Sequence, residues 1–565
     1  MTHRWTIGVN HSHHESAACI MRDNEVVYAT AEERLSRIKQ DSSFPEQAIL
    51  AAVRHAGIEL GEVTAIGLSW SKPSLAARHD LRNVLRGGVK VSRWNVGGPL
   101  LRWSEARGAK GTEGRVRSLW SDRQPLVHAA GHHRAHAWSA ALMNDASRSA
   151  VIVADGRGSR NSTSIWMKDG QRLTLVDRKL FPDSLGLFYA RVTQYLGFVP
   201  LADEWKVMGL APFGHAGFDL SSIVRVGEDD FRVDGRALLG RRHDDLSVLE
   251  DLCGPRRLAG DKIEDRHRDV AFAAQTAVEA AVAALCRRAV SLTGCRNVAM
   301  AGGVALNCKA NGLVMREGLV DDLTVQPAAG DDGSALGAAI AAFHVSGGSG
   351  LPGPFVNMGF GHAERQEDIE AALRTFKVRY FVTDDPARAA AERLASSQVV
   401  GWFQGRAEFG PRALGSRSIL ADPRRTSTRD LVNEAVKFRE TWRPFAPSVL
   451  EERVGEYFKG CVRAPHMIIT FDATEAALEH MPAIVHVDGT ARVQTVSSAA
   501  NPLYARLIEV FGSLTGVPGV LNTSFNLKGE PIVNTVNDAV RTFFSSGLDS
   551  LVIGNCCVDK MAQGK

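Results

Sequence analysis

The sequence has almost no surplus of charge. Lys plus Arg number 67 against 63 Asp plus Glu, a formal net charge of +4 over 565 residues. So dilute a balance excludes recruitment of nucleic acid by bulk charge. None of the eight cysteines (Cys19, Cys253, Cys286, Cys295, Cys308, Cys461, Cys556, Cys557) falls in a C-x-x-C pair, which excludes a thiolate zinc site and offers no disulfide framework. A reducing cytoplasm is the expected setting. Residues Met1 to Gly8 carry no signal-like apolar core, and no apolar stretch of about 18 residues is expected anywhere in the chain. The protein is therefore expected neither to cross nor to anchor in a membrane, and the sequon Asn522-Thr523-Ser524 reads as chance. Core-forming residues are plentiful. A 44% hydrophobic share with ten Trp and 23 Phe can fill several domains of about 100 to 200 residues, and is the opposite of a disordered composition.

Two stretches share one pattern. In 6–31, apolar runs at Ile7 to Asn10, Ala17 to Met21 and Glu25 to Thr30 are separated by short polar turns, the second at Asp23-Asn24. In 150–179 the same three-strand reading recurs around Asp155-Gly156-Arg157-Gly158 and Lys168-Asp169-Gly170. A duplicated strand-turn-strand unit suits a two-lobed nucleotide-binding fold, because backbone N–H groups in such turns can surround phosphates. A third piece, Asn297 to Met300, leads into Ala301-Gly302-Gly303-Val304-Ala305-Leu306-Asn307, where glycines permit close backbone approach to a ligand or simply form a turn. Helical spacing marks Phe44 to Ala56, Ser184 to Leu196, Arg268 to Ser291 and Ser334 to Val345. Residues 346–354, rich in Gly, Ser and Pro, read as a linker. The stretch 72–123 holds 12 Lys or Arg against four acids; it is either a solvated insert or a basic wall for a substrate.

Chemistry-bearing residues cluster in both halves. His132 and His136 stand four apart, so on a helix they share one face and can chelate one cation; alone, the spacing also suits two ordinary surface histidines. Asp155 and Asp331 lie at strand-to-turn positions where carboxylates can converge on them, and imidazole plus carboxylate without thiolate favours iron or a similar hard-to-borderline ion. Further on, Gln404 to Ile419 interleaves Gly with Arg406, Arg412 and Arg417. Bare amides and forked guanidinium groups suit an anion pocket, to which Lys437, Arg439, Arg443, Arg492, Ser524 and Asn526 could add.

At these residues the chain resembles the antibiotic and nodulation-factor O-carbamoyltransferase family nearly end to end. The matching motifs include His14 to Ala18, Glu32 to Lys39, His132 to His136, Glu204 to Pro212, Gly302 to Asn307, Gly330 to Gly337, Gln404 to Ile419, Val436 to Val449 and Leu521 to Glu530. The resemblance implies an α/β protein: a duplicated actin, sugar-kinase and heat-shock ATPase-like domain over 1–345 with its insert at 72–123, a linker at 346–354, and a YrdC-like α/β domain over 355–565. It implies that ATP, with Mg2+, and carbamoyl phosphate give carbamoyl adenylate, from which an acceptor hydroxyl on a secondary metabolite is carbamoylated.

By the same resemblance His132, His136, Asp155 and Asp331 are iron ligands. Arg412, Lys437, Arg443, Arg492, Ser524 and Asn526 bind carbamoyl phosphate. Gly156, Gly302, Gly303 and Asn307 serve the nucleotide, and His14 and Lys39 are catalytic, with His14 the candidate base. Departures from the family pattern at Glu15, Gln40, Ser416 and Trp442 remove none of these. Rival readings are a catalytically silent sensor, a tRNA-modifying relative, and a hydrogenase-maturation carbamoyltransferase, whose acylphosphatase and cysteine-rich fingers are not found here. The implied partners are small molecules, neither nucleic acid nor membrane.

Overall fold

The first 31 residues fold as two consecutive hairpins: β1 (Trp5–His11), β2 (Ser16–Arg22) and β3 (Glu25–Ala31), antiparallel throughout. The turn between β2 and β3 is short because Asp23 adopts a left-handed φ of 52°, a conformation that Asp tolerates better than bulky residues. Two more strands, β4 (Val63–Leu68) and β5 (Leu126–Ala129), then join β1 in parallel, giving the order β3-β2-β1-β4-β5. The plan repeats. β6 (Arg148–Ala154), β7 (Asn161–Asp169) and β8 (Arg172–Leu180) form the second pair of hairpins. After a small two-stranded sheet of β9 (Val224–Val226) and β10 (Phe231–Val233), β11 (Asn297–Ala301) and β12 (Asp322–Val325) add in parallel, so the order is β8-β7-β6-β11-β12. Identical strand order and direction in the two sheets is the duplicated architecture expected of this fold.

The computed structural model describes residues 3–12, 14–70, 111–120, 124–239, 244–437, 439–440 and 442–564. Most of the basic stretch 72–123, including Arg78, Arg82 and Arg86, lies outside them. The chain divides into two units: Met1–Glu32 with Asp41–Pro354, and Glu33–Gln40 with Phe355–Lys565.

In the first unit, small residues let three layers approach closely. Helix α1 (His132–Ala141), helix α2 (Asp265–Thr293) and the alanine-rich helix α3 (Ser334–Val345) are the main ones. A Cβ on Gly8 or Gly67 would stand 1.9 Å from the carbonyl oxygens of Ala335 and Ala338, so α3 lies directly on the first sheet. On its other side a Cβ on Gly337 would stand 1.7 Å from the Ala135 carbonyl oxygen. Helix α1 is thereby held against α3. Gly337→Ala pits a methyl group against backbone, which cannot swing aside; a loss of about 3 kcal/mol is expected, read as a lower denaturation midpoint and checked by chemical unfolding.

Helix α2 is long and apolar enough to cross a membrane by length and composition, a run not anticipated above, and most of that window is buried inside the unit. Most of its apolar residues, Val270, Ala274, Val278, Val282 and Leu285 among them, are core.

The second unit is built on an eight-stranded mixed sheet. Its strands are β13 (Phe381–Val382), β14 (Val400–Phe403), β15 (Arg417–Ala421), β16 (Ala446–Leu450), β19 (Gln494–Val496), β20 (Gly519–Ser524), β21 (Ser550–Ile553) and β22 (Cys556–Asp559), in the order β13-β22-β21-β14-β15-β20-β16-β19; β17 (Thr470–Asp472) and β18 (Thr490–Arg492) pair separately. Glu33–Gln40 is fastened to this unit by two arginines. Arg34 Nη2 donates to Gly410 O at 2.7 Å, and Arg37 donates to Ile532 O at 2.7 Å and Pro531 O at 3.0 Å while pairing with Asp538 at 3.1 Å. The sequence reading assigns these eight residues to the first domain; their packing groups them with the second.

Candidate metal centre and anion pocket

The two histidines of the HxxxH do lie on one face of a helix. Helix α1 carries His132 and His136 fully buried, with their Nε2 atoms 3.2 Å apart. Asp155, just past the end of β6, brings Oδ2 to 2.9 Å from His132 and 3.8 Å from His136. Asp331, in the turn that opens α3, brings Oδ1 to 3.3 Å and 3.4 Å from the same atoms. One donor from each of the four residues lies within 4.8 Å of every other.

Burial alone would lower the His132 imidazolium, but the Asp331 and Asp155 carboxylates outweigh it and push it up to about 10. Burial likewise opposes ionisation of Asp155 and Asp331, and the histidines override it, holding both carboxyls well below the usual range.

Each donor is aimed by its surroundings. Asp155 Oδ1 accepts the N–H of Gly156 at 2.7 Å and of Gly303 at 3.4 Å, which turns Oδ2 to the histidines. The histidine rings have no outer hydrogen bond among the described residues, since both Nδ1 atoms are buried and unpartnered. Packing orients them instead, with Trp70 stacked on His132 at 4.1 Å. His133 faces elsewhere: its Nδ1 meets Ser164 Oγ at 2.8 Å, and burial holds it neutral, down to about 3. His14 stands at the rim, a third exposed, with Nε2 4.0 Å from Asp331 Oδ2.

The donor set fits a divalent cation. Cis ligands at about 2.1 Å from one ion sit roughly 3.0 to 3.4 Å apart, the spacing of most of these atom pairs, and two imidazole nitrogens facing each other across 3.2 Å can turn their lone pairs on one shared cation.

The residues expected to serve a nucleotide divide in role. Gly156 and Gly303 serve Asp155 through their amides, as above. Gly302 has a φ of 91°, and a Cβ there would stand 2.3 Å from Ala154 O, so the close packing of β11 beside β6 already demands glycine. Asn307 caps the following helix by accepting from Ala310 N–H at 3.1 Å, and its amide exchanges hydrogen bonds with Gln275 at 2.9 Å and 3.0 Å. Its polar atoms are taken up within the protein.

In the second unit Lys437, Ser524 and Asn526 come together. Lys437 Nζ is buried and donates to Ser524 O at 2.5 Å and to Asn526 O and Oδ1 at 3.0 Å. Burial, and then the charges of Arg439 and Arg443, hold its ammonium well below the ordinary lysine range. Arg443 and Arg492 act in the same direction on Arg439, after burial. Glu440, 3.6 Å from Arg443, is the carboxylate among them. Lys437, Arg439, Arg443 and Arg492 feel one another's charge, with Glu440 beside Arg443, a setting that can receive an anion.

Arg412 rides, half-buried, on the loop between β14 and β15, and this loop is braced from inside. Glu408 Oε1 accepts the N–H groups of Leu414 at 2.8 Å, Ser416 at 2.7 Å and Arg417 at 3.2 Å. Trp402 donates to Gly415 O at 2.9 Å and Gln494 to Leu414 O at 2.8 Å. The other arginines of the run are engaged by backbone carbonyls. Arg417 is fully buried, donates to the carbonyls of Gln404, Gly405, Ser416 and His362, and lies 3.6 Å over Phe403. Arg406 donates to Gly361 O and Phe360 O. Lys39 is paired with both carboxylate oxygens of Glu33 at 3.1 Å. Glu408 was missed in the sequence; its signal was a single acid within a Gly-rich, Arg-rich run.

Two sheets of identical order, a buried two-histidine, two-aspartate cluster and a second α/β unit with clustered cations define a two-unit α/β protein whose first unit is built on a duplicated plan. Residues 106–340 match the family described as carbamoyltransferase N-terminus and residues 391–560 the one described as carbamoyltransferase C-terminus; the chain belongs to the carbamoyltransferase family, whose members are enzymes. It is 36% identical to the nodulation protein NolNO of Sinorhizobium fredii over 97% of this chain and 79% of that one. It is 40% identical to NolO of Bradyrhizobium diazoefficiens over 76% of this chain and 78% of that one. A 3'-hydroxymethylcephem-O-carbamoyltransferase of Amycolatopsis lactamdurans is 37% identical over 45% of this chain and 47% of its own length.

Proposed function

We propose that the protein is an ATP-dependent O-carbamoyltransferase that carbamoylates a hydroxyl of a small secondary metabolite. Carbamoyl phosphate, ATP and one water yield carbamoyl adenylate, phosphate and pyrophosphate in the second unit, the YrdC-like domain of this reading; the acceptor oxygen then takes the carbamoyl carbon and AMP leaves. The observation that carries this is the gathering of Lys437, Arg439, Arg443 and Arg492, with Glu440 3.6 Å from Arg443, in a chain whose C-terminal half matches the carbamoyltransferase C-terminus. Exchanging phosphate for AMP on the carbamoyl group gives a more reactive donor for an alcohol, itself a weak nucleophile.

His132, His136, Asp155 and Asp331 would hold a divalent cation, iron on the family resemblance, which supplies Lewis-acid charge for phosphate or carbamoyl oxygens. Around it the residues of this chain have their own tasks. Gly156 and Gly303 fix Asp155, and with Gly302 they bare backbone to a nucleotide brought with Mg2+; Asn307 positions that segment through Gln275. His14, at the rim of the cluster, takes the acceptor's proton. Lys39, engaged with Glu33, holds the 33–40 segment in shape. The eight cysteines are all unpaired and buried, which supports a reducing cytoplasm.

The test is pyrophosphate release by the full chain from ATP and carbamoyl phosphate, followed by a screen of hydroxyl compounds with labelled carbamoyl phosphate. Arg412→Ala is expected to slow pyrophosphate release about a hundredfold, the equivalent of about 3 kcal/mol for a forked guanidinium contact. Unchanged release would remove Arg412 from the pocket, and no release by the wild type would end the proposal.

A further inference from the structure

Two residues of the 33–40 segment hold a backbone conformation that residues with side chains ordinarily avoid: φ is 62° at Arg37 and 53° at Gln40. Left-handed backbone is costly at such residues and persists where the surroundings over-determine it, often at functional sites. Here Glu33 supplies much of that constraint. Its carbonyl accepts Arg37 N–H at 3.1 Å, and its carboxylate accepts Gln40 N–H at 2.8 Å and Lys39 Nζ at 3.1 Å. The segment braces itself, leaving Arg34 and Arg37 to reach beyond it.

Each of these arginines grips backbone beside a residue of the anion pocket. Arg34, itself buried, donates from Nη2 to Gly410 O at 2.7 Å. Gly410 has a φ of 122°, an angle that glycine alone adopts readily, and Arg412 follows two residues later. Two residues beyond Arg412, Leu414 N–H is held by Glu408 Oε1 at 2.8 Å. Arg412 is therefore bracketed: Arg34 fixes the chain before it and Glu408 the chain after it. Arg37 donates to Pro531 O at 3.0 Å and Ile532 O at 2.7 Å and pairs with Asp538 at 3.1 Å. The stretch it grips is the one on which Asn526 leans. Glu530 O accepts from Asn526 Nδ2 at 2.8 Å, and Val533 N–H donates to Phe525 O at 2.9 Å.

We propose that Arg34 and Arg37 are positioning residues of the pyrophosphate-forming site: Arg34 sets Arg412, and Arg37 sets Asn526. One eight-residue segment then fixes two pocket residues that lie far apart in the sequence. The inference rests on the reading of the second unit as the carbamoyl-phosphate site and adds to it a part of the chain that touches no substrate. Its leverage is geometric, since a displacement of about 1 Å at a reacting group can cost about a hundredfold in rate.

Pyrophosphate release by the full chain at varied carbamoyl phosphate tests this through double variants. Arg34→Met keeps the aliphatic stem and removes the donors; it should lower kcat/KM for carbamoyl phosphate about tenfold. In the Arg412→Ala background the same substitution should lower it no further, because it acts only through Arg412. Arg37→Met should likewise cost about tenfold alone and nothing beside Asn526→Ala, yet keep its full effect beside Arg412→Ala. An arginine with a merely structural role would give the same loss in every background. That uniform loss overturns the assignment, as does wild-type kcat/KM in folded Arg34→Met or Arg37→Met. Should either Met variant fail to fold, the Lys variant, which keeps the charge without the fork, takes its place: a severalfold loss that vanishes in the matching background supports the proposal, and no loss, or one that persists there, overturns it. If the wild type releases no pyrophosphate, or Arg412→Ala and Asn526→Ala release it at the wild-type rate, the reading of the second unit falls, an outcome distinct from failure of the two arginines alone.

Discussion

His136→Ala should leave the first unit with less than a tenth of its divalent metal and abolish carbamoyl transfer, while pyrophosphate release continues near the wild-type rate. The argument is one of charge. Asp155 and Asp331 are held ionised in a buried cluster, and four donors within 4.8 Å are the number a closed small-cation site supplies. Removing Nε2 of His136 leaves three, with Asp155 Oδ2 the donor that stands farthest from it at 3.8 Å. The anion pocket lies in the other unit and keeps every residue. Metal analysis of purified wild type and variant, beside the pyrophosphate assay, checks both halves. Equal metal content would remove His136 from the site; parallel loss of pyrophosphate release would contradict the division of labour.

A comparable effect on stability is expected at a residue that touches no ligand. Glu408→Ala strips the acceptor from three backbone N–H groups, those of Leu414 and Ser416 in the loop and of Arg417 where β15 begins. Each buried donor left unmatched costs about 1 to 3 kcal/mol, so the second unit should lose about 3 kcal/mol or more. Glu408→Gln keeps a carbonyl oxygen at the same point and should lose about 1 kcal/mol. Denaturant unfolding of the full chain distinguishes the two. Equal losses would mean that the negative charge, rather than the acceptor geometry, holds the loop.

The hairpins were legible because their apolar runs are short, bounded by turn residues and repeated, and the gathering of His132, His136, Asp155 and Asp331 because a four-residue spacing on a helix and acids at strand-to-turn positions are both local signals. Strand β5 was not legible: Leu126 and Ala129 are exposed and the two residues between are half-buried, so no alternation marks it. Arg406 and Arg417 were read with Arg412 as anion contacts, since a guanidinium beside glycines looks the same in sequence whether it meets phosphate or backbone carbonyls. Only packing separates them. The affiliation of 33–40 was equally hidden, because Arg34 and Arg37 find their partners at Gly410, Pro531, Ile532 and Asp538, hundreds of residues away, and nothing local to the segment encodes that distance.

That remote fastening bears on the order in which the protein is made. Residues 33–40 leave the ribosome before any other part of the second unit, so they must remain unclaimed while the whole first unit is synthesised. Domains otherwise fold as they emerge, the earlier ones first. Here completion of the second uses a peptide made before most of the first, and Arg34 gains its carbonyl only once Gly410 is made and Arg37 its partners only once 531–538 are made. Fastening of 33–40 to the second unit is therefore a late step in the making of the protein.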